Sequence, residues 1–132
     1  MERKRFEELV EAVFGELPEG LLAYVDNAVF VVEDWPDPET LASQGLNRPD
    51  ELLGLYHGLP LDERHVDTTG NLPDRILLYQ KSIELYARET GEYLDDVIYD
   101  TLLHEIGHHF GLSEEELREM EEGRGTPVDG DE

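Results

Sequence analysis

The sequence predicts an α+β fold in a single domain, and three observations carry that reading. Apolar residues at helical spacing open the chain and recur in a long stretch near its end. Between them lie short β-branched or aromatic runs, each closed off by Gly, Pro or Asp. A length of 132 residues fits one ordinary domain with one modest core.

Within residues 2–16, Phe6, Leu9, Val10, Val13 and Phe14 share one helical face, and Gly15, Pro18 and Gly20 end the segment, which predicts a packing helix. Ala28-Val29-Phe30-Val31-Val32 has the pattern of a buried strand, stopped by Asp34, Pro36, Asp37 and Pro38. Residues 35–50 form an irregular connection with one helical turn at Glu39 to Ala42. Leu52 to Gly58 reads as a second strand, Leu59 to Pro73 as a polar, turn-rich link, and Arg75 to Tyr79 as a third strand.

Lys81 to Thr90 form a short helix ended by Gly91, and a stronger helix follows from about Tyr93 to Phe110. Its early acids Glu92, Asp95 and Asp96 complement the helix dipole, and Leu94, Val97, Ile98, Thr101, Leu102 and Ile106 make a stripe facing the core. Ser113 then caps an acidic helix, with Glu116 completing a capping box. Residues 1–122 make the domain, and 123–132 are small, polar and acidic, an expected mobile tail. The expected architecture is a small mixed sheet of three or four strands packed against the N-terminal helix and the late helix.

Lys and Arg number 10 against 33 Asp and Glu, a formal charge of −23. Such a field repels phosphate backbones and anionic membranes, so nucleic acid and membrane surfaces are excluded as expected partners. Basic peptides and divalent cations are attracted, although solubility alone accounts for much of the charge. With no cysteine there are no disulfides, and any metal site must be built from imidazole and carboxylate. No apolar run can serve as a signal peptide or membrane span, and the cytoplasm is the expected location.

The chemistry concentrates in His104-Glu105-Ile106-Gly107-His108. Residues four apart on a helix project from one face, so His104 and His108 can reach a single ion. Glu105 lies about 100° around the helix from His104, placed to bond a metal-bound water without occupying the metal. In a chain of this composition, chance produces the pattern about three times in a hundred, and its position late in a helix that is apolar on the opposite face sharpens it. Gly111 follows, the residue best suited to the left-handed conformation that ends a helix. A continued helix would carry Glu114 about 9 Å beyond His108, whereas a turn lets it approach the open side of the ion.

The segment from His104 through Phe110 and Gly111 to Glu114 resembles the extended HExxHxxGxxH or HExxHxxGxxD signature of metzincins and Asp-zincins. The layout as a whole resembles the small bacterial zincin-like proteins called minimal zincins. That resemblance implies a zincin-like domain, His104 and His108 as zinc ligands, Glu105 as general base and Glu114 as third ligand. Glu114 stands where the family usually has His or Asp, so Glu115 or Glu116 can substitute for it, or none. No Met-turn is visible, since Met120 is the only methionine after the motif.

His109 points away from His108 and reads as a structural histidine; Asp100, one turn before His104, reads as an exposed acid able to orient that ring through its carboxylate. His57, His65, Tyr56 and Tyr79 are open candidates for stabilising an oxyanion. The expected function is zinc-dependent peptide hydrolysis by activated water, with an extended peptide held on an exposed edge strand. The competing class is a non-catalytic metal-binding or interaction module with a degenerate site. An acidic decoy for basic proteins ranks last.

Overall fold

The computed structural model describes residues 1–25, 27–58 and 73–125, with side chains through Glu122. The polar link expected at 59–73 falls almost wholly outside the described residues, as do His65 and positions 126–132 of the expected tail.

Helix α1 (Arg3–Phe14) buries Phe6, Val10 and Val13, one stripe at helical spacing, against the core. A single turn, α2 (Glu19–Leu22), follows Pro18 and buries Leu21. The sequence pattern does not predict this turn, because four residues carry no periodic signal. Strand β1 (Ala28–Glu33) matches the first expected strand, extended by one residue. At the expected helical turn stands α3 (Pro38–Ser43), capped by the Asp37 carboxylate, which accepts from the Thr40 N–H at 2.8 Å.

Strand β2 (Gly54–His57) is shorter than the expected Leu52 to Gly58. The leucines that lengthened the apolar run serve packing instead: Leu52 enters a small second core with Leu41 and Tyr79. Strand β3 (Asp74–Tyr79) is central in the order β1-β3-β2, parallel to β1 and antiparallel to β2. Ile76 and Leu78 face the main core and Tyr79 the second one, which explains why the strand reads as a continuous apolar run. A 3-10 turn at Pro49–Glu51 leads into β2, and helices α4 (Gln80–Thr90), α5 (Leu94–His109) and α6 (Glu114–Gly125) follow the sheet. The α6 backbone thus runs through residue 125, past the boundary at 122.

The main core gathers Phe6, Val10, Leu21, Ile76, Ile98, Leu102 and Ile106, joining α1, the sheet and α5. As the periodicity predicts, α5 turns Val97, Ile98, Thr101, Leu102 and Ile106 inward. Gly54 sets how closely α5 meets β2: a Cβ there would stand 2.8 Å from the Thr101 methyl and 2.9 Å from the Leu77 carbonyl oxygen. Among the described residues no helix is long and apolar enough to cross a membrane.

Candidate metal centre

The outer face of α5 carries His104, Glu105 and His108, and the helix stops directly after them. Gly111 adopts φ +75°. Its N–H donates to the His108 carbonyl at 3.1 Å, and the Leu112 N–H donates to the Gly107 carbonyl at 2.8 Å, a paired left-handed C-terminal cap. The chain reverses there and enters α6 through the expected capping box: the Ser113 N–H donates to Glu116 Oε1 at 2.8 Å and the Glu116 N–H to Ser113 Oγ at 3.1 Å.

Helix α6 returns close against α5 because Gly107 has no side chain. A Cβ at position 107 would lie 2.7 Å from Leu117 Cδ1, and Leu117 is 1% exposed. The Tyr99 hydroxyl adds a donor to Glu121 Oε2 at 3.0 Å. Together these bring the first acid of α6 over the two histidines. Glu114 Oε1 lies 3.0 Å from His104 Nε2, and its Oε2 lies 3.4 Å from His108 Nε2. The imidazole centroids are 6.0 Å apart. Of the three neighbouring acids, Glu116 is committed to the cap and Glu115 is exposed, so Glu114 is the acid that meets the imidazoles.

The Nδ1 of His104 donates to the Asp100 backbone carbonyl at 2.8 Å, leaving Nε2 aimed outward. Asp100 therefore orients the ring through its backbone and not through the carboxylate that the sequence suggests. Residues four apart on a helix already bring a side chain and that carbonyl together. Partial burial disfavours the His104 cation, but the Asp100 carbonyl and the Glu114 carboxylate outweigh it, and the pKa is raised. Glu114 moves the opposite way: its hydrogen bond with His104 holds its carboxyl below the usual range.

Glu105 points towards the sheet, partly buried, and Oε1 accepts from the Tyr56 backbone N–H at 3.4 Å. Burial raises its pKa, opposed by that N–H and by the two histidines. Tyr79 N–H donates to the Leu53 carbonyl at 2.9 Å, which sets Leu53, Leu55 and His57 as the positions bonded to β3. By alternation the backbone groups of Gly54 and Tyr56 face away, so the group that holds Glu105 belongs to the outer edge of β2.

Among the described residues no three His, Asp or Glu side chains are placed as they stand to hold a metal ion. The two oxygens of Glu114 go to different imidazoles. The donor chemistry nevertheless fits zinc, since two imidazole Nε2 atoms and one carboxylate, with no thiolate, would hold it. All three side chains are largely exposed, which leaves their rotamers free to adjust.

Of the oxyanion candidates, Tyr79 is removed by the structure. It is 1% exposed, its hydroxyl has no hydrogen-bond partner among the described residues, and burial pushes its pKa up to about 12. Tyr56 is held, with its hydroxyl donating to Asp74 Oδ2 at 2.8 Å and its ring stacked on His109 at 3.9 Å and 19°. His109 therefore packs on the edge strand, as its position around the helix suggested. His57 is exposed at the end of β2, and His65 is outside the described residues. Sequence reasoning missed the Tyr56 N–H and the two close-approach glycines, Gly54 and Gly107. A backbone donor leaves no mark on residue identity, although glycine inside a strand or helix is itself a signal of close approach.

No curated protein matches the chain. A solved structure is similar, a conserved hypothetical protein from Thermo thermophilus, with 29% identity, 83% of this chain and 94% of that chain covered, and a TM-score of 0.50. The zincin-like metallopeptidase family model matches residues 25–124, a span that holds the whole sheet, α5 and the turn to Glu114. This chain belongs to the zincin-like metallopeptidase family.

Proposed function

We propose that this chain is a zinc-dependent peptidase in which His104, His108 and Glu114 hold the ion and Glu105 is the general base. When bound, zinc acts as a Lewis acid that polarises the scissile carbonyl and lowers the pKa of water. His104 is prepared for its part because the Asp100 carbonyl holds Nδ1–H and leaves Nε2 as the coordinating atom. Glu105 accepts a proton on Oε2, since Oε1 is fixed by Tyr56 N–H, and returns it to the leaving amine. Its raised pKa suits it to hold that proton between the two steps.

The substrate in this reading is a peptide or protein segment in extended form, bonded to the outward backbone groups of Gly54 and the Tyr56 carbonyl on β2, the Tyr56 N–H being held by Glu105. A charge of −23 favours basic segments and works against nucleic acid and anionic membranes. The single observation that carries the reading is the carboxylate of Glu105, held by the strand edge beside two imidazoles that share one acid.

That shared acid also supports a second reading. Because Glu114 already bridges His104 and His108, the site can act as a brace between α5 and α6 in a non-catalytic binding module. Zinc content and hydrolysis of a mixed peptide library, compared for the native chain and Glu105→Gln, separate the two. Cleavage by the native chain, lost with zinc retained in Glu105→Gln, supports the peptidase. Stoichiometric zinc with no cleavage by either form supports the binding module.

A further inference from the structure

A cavity of about 380 Å³ lies between the start of β2 and the first half of α5, at the low end of the size range for small-ligand pockets. His104 and Glu105 are among the residues that line it. Leu52, Leu53 and Val97 supply an apolar wall. Glu51, Glu92 and Asp100 add three carboxylates, and no lysine or arginine lines the space.

Of these three acids only the Glu51 carboxylate accepts hydrogen bonds from the protein. Among the described residues the Asp100 and Glu92 carboxylates make no hydrogen bond or salt bridge, and Asp100 lies within electrostatic reach of His104 alone among the cationic side chains. Glu51 is held in place from behind: Oε1 accepts from the backbone N–H groups of Asn47 at 3.3 Å and Arg48 at 3.1 Å. The Arg48 guanidinium is paired with Asp50 at 2.6 Å. A chamber lined by both apolar side chains and carboxylates matches a ligand with an aliphatic stem and a cationic end. A bare divalent cation would leave the leucine and valine wall unused, and a neutral aliphatic chain would desolvate the carboxylates without return.

We infer that this cavity is a subsite for a lysine or arginine side chain of the substrate, beside the bond to be cleaved. The inference rests on the peptidase reading for its place in catalysis, but the cavity's selectivity is a property of this chain alone. The stem lies along Leu52, Leu53 and Val97, and the charge meets Asp100 and Glu92. The cavity reaches Glu105 itself, so the residue it accepts is a near neighbour of the scissile bond.

Two measurements test it. In the first, the full chain is titrated with Nα-acetyl-lysine methylamide and with the norleucine equivalent, and backbone amide shifts are followed by NMR. Saturable shifts at Leu53, Gly54, Val97 and Thr101 are expected with the lysine compound alone. Glu92→Gln with Asp100→Asn weakens that binding by roughly tenfold, while Glu92→Gln, on an exposed side chain, keeps the fold and weakens it less. Equal shifts with norleucine, no shifts at these amides, or the same shifts with calcium in place of the lysine compound overturn the inference.

In the second, the zinc-loaded chain cleaves a positional peptide library. Enrichment of lysine or arginine at one position next to the cut, diminished in the double variant, supports the subsite. Cleavage without any basic preference overturns it and leaves the peptidase standing. Selective lysine binding with no cleavage of any peptide sustains the subsite and removes the peptidase.

Discussion

Tyr56 and Glu105 are joined across the seam between strand and helix by one hydrogen bond, from the Tyr56 backbone N–H to Glu105 Oε1 at 3.4 Å. The donor is an outer-edge group of β2, so the acid is tied to the same strand edge on which a peptide would pair. One carboxyl oxygen thereby has a backbone partner on the strand. Whatever alters the spacing of α5 and β2 alters this bond first.

Gly54 controls that spacing. Gly54→Ala places a methyl 2.8 Å from the Thr101 methyl and 2.9 Å from the Leu77 carbonyl, and overpacking of this kind costs about 1–3 kcal/mol. Urea unfolding should show the loss. Adding Thr101→Ala should recover only part of it, because the Leu77 carbonyl is backbone and cannot step aside. Full recovery, or no loss in the single variant, would contradict the close approach.

Gly107 plays the matching part between α5 and α6. A Cβ there would meet Leu117 Cδ1 at 2.7 Å and Cγ at 3.2 Å, and the displaced α6 carries Glu114 away from the histidines. Gly107→Ala should therefore weaken zinc binding by more than about tenfold in a competition titration. Shortening the opposing side chain in Gly107→Ala with Leu117→Ala should restore affinity even though the extra cavity lowers stability.

The raised pKa of His104 gives a titration test in the metal-free chain. Its causes are partial burial, which lowers it, overcome by the Asp100 carbonyl and Glu114. Glu114→Gln should shift the His104 midpoint downward in an imidazole NMR titration, and an unchanged midpoint would refute the pairing. Proton and metal compete for the same Nε2, so zinc affinity should fall as pH is lowered through the His104 range.

Glu105 is costly to keep charged. Its folded pKa is raised by burial above the ordinary 4.5, so between the two values the folded chain binds more protons than the unfolded one. Stability contributed by the neutral form is complete below 4.5 and is lost as pH rises through the folded value. Glu105→Gln keeps the acceptor for Tyr56 N–H and carries no charge. The metal-free variant should melt a few degrees higher than the native chain at neutral pH and gain nothing at pH values below the window. Equal melting temperatures at neutral pH would argue that the carboxylate is well solvated.

The sequence by itself determined the local elements whose cause is local. Periodic apolar residues gave α1 and α5, Gly111 gave the left-handed stop, and Ser113 with Glu116 gave the cap that opens α6. Spacing along one helix likewise set His104 and His108 on one face. The run from Leu52 to Gly58 was overextended as a strand because apolar character alone does not distinguish a strand residue from a loop residue packed in a second core.

Only the tertiary structure decided which acid meets the imidazoles, what holds Glu105, and which way His104 is anchored. Three adjacent glutamates look alike in sequence. They separate once α6 packs over Gly107, which leaves Glu116 in the cap and sets Glu114 beside the two histidines. The Tyr56 N–H and the Asp100 carbonyl are backbone groups of a kind that nearly every residue possesses, so their roles follow from where the chain passes, not from which side chain it carries. Residue identity governs propensity over a few positions, whereas a contact between residues 49 apart depends on the packing of the whole domain.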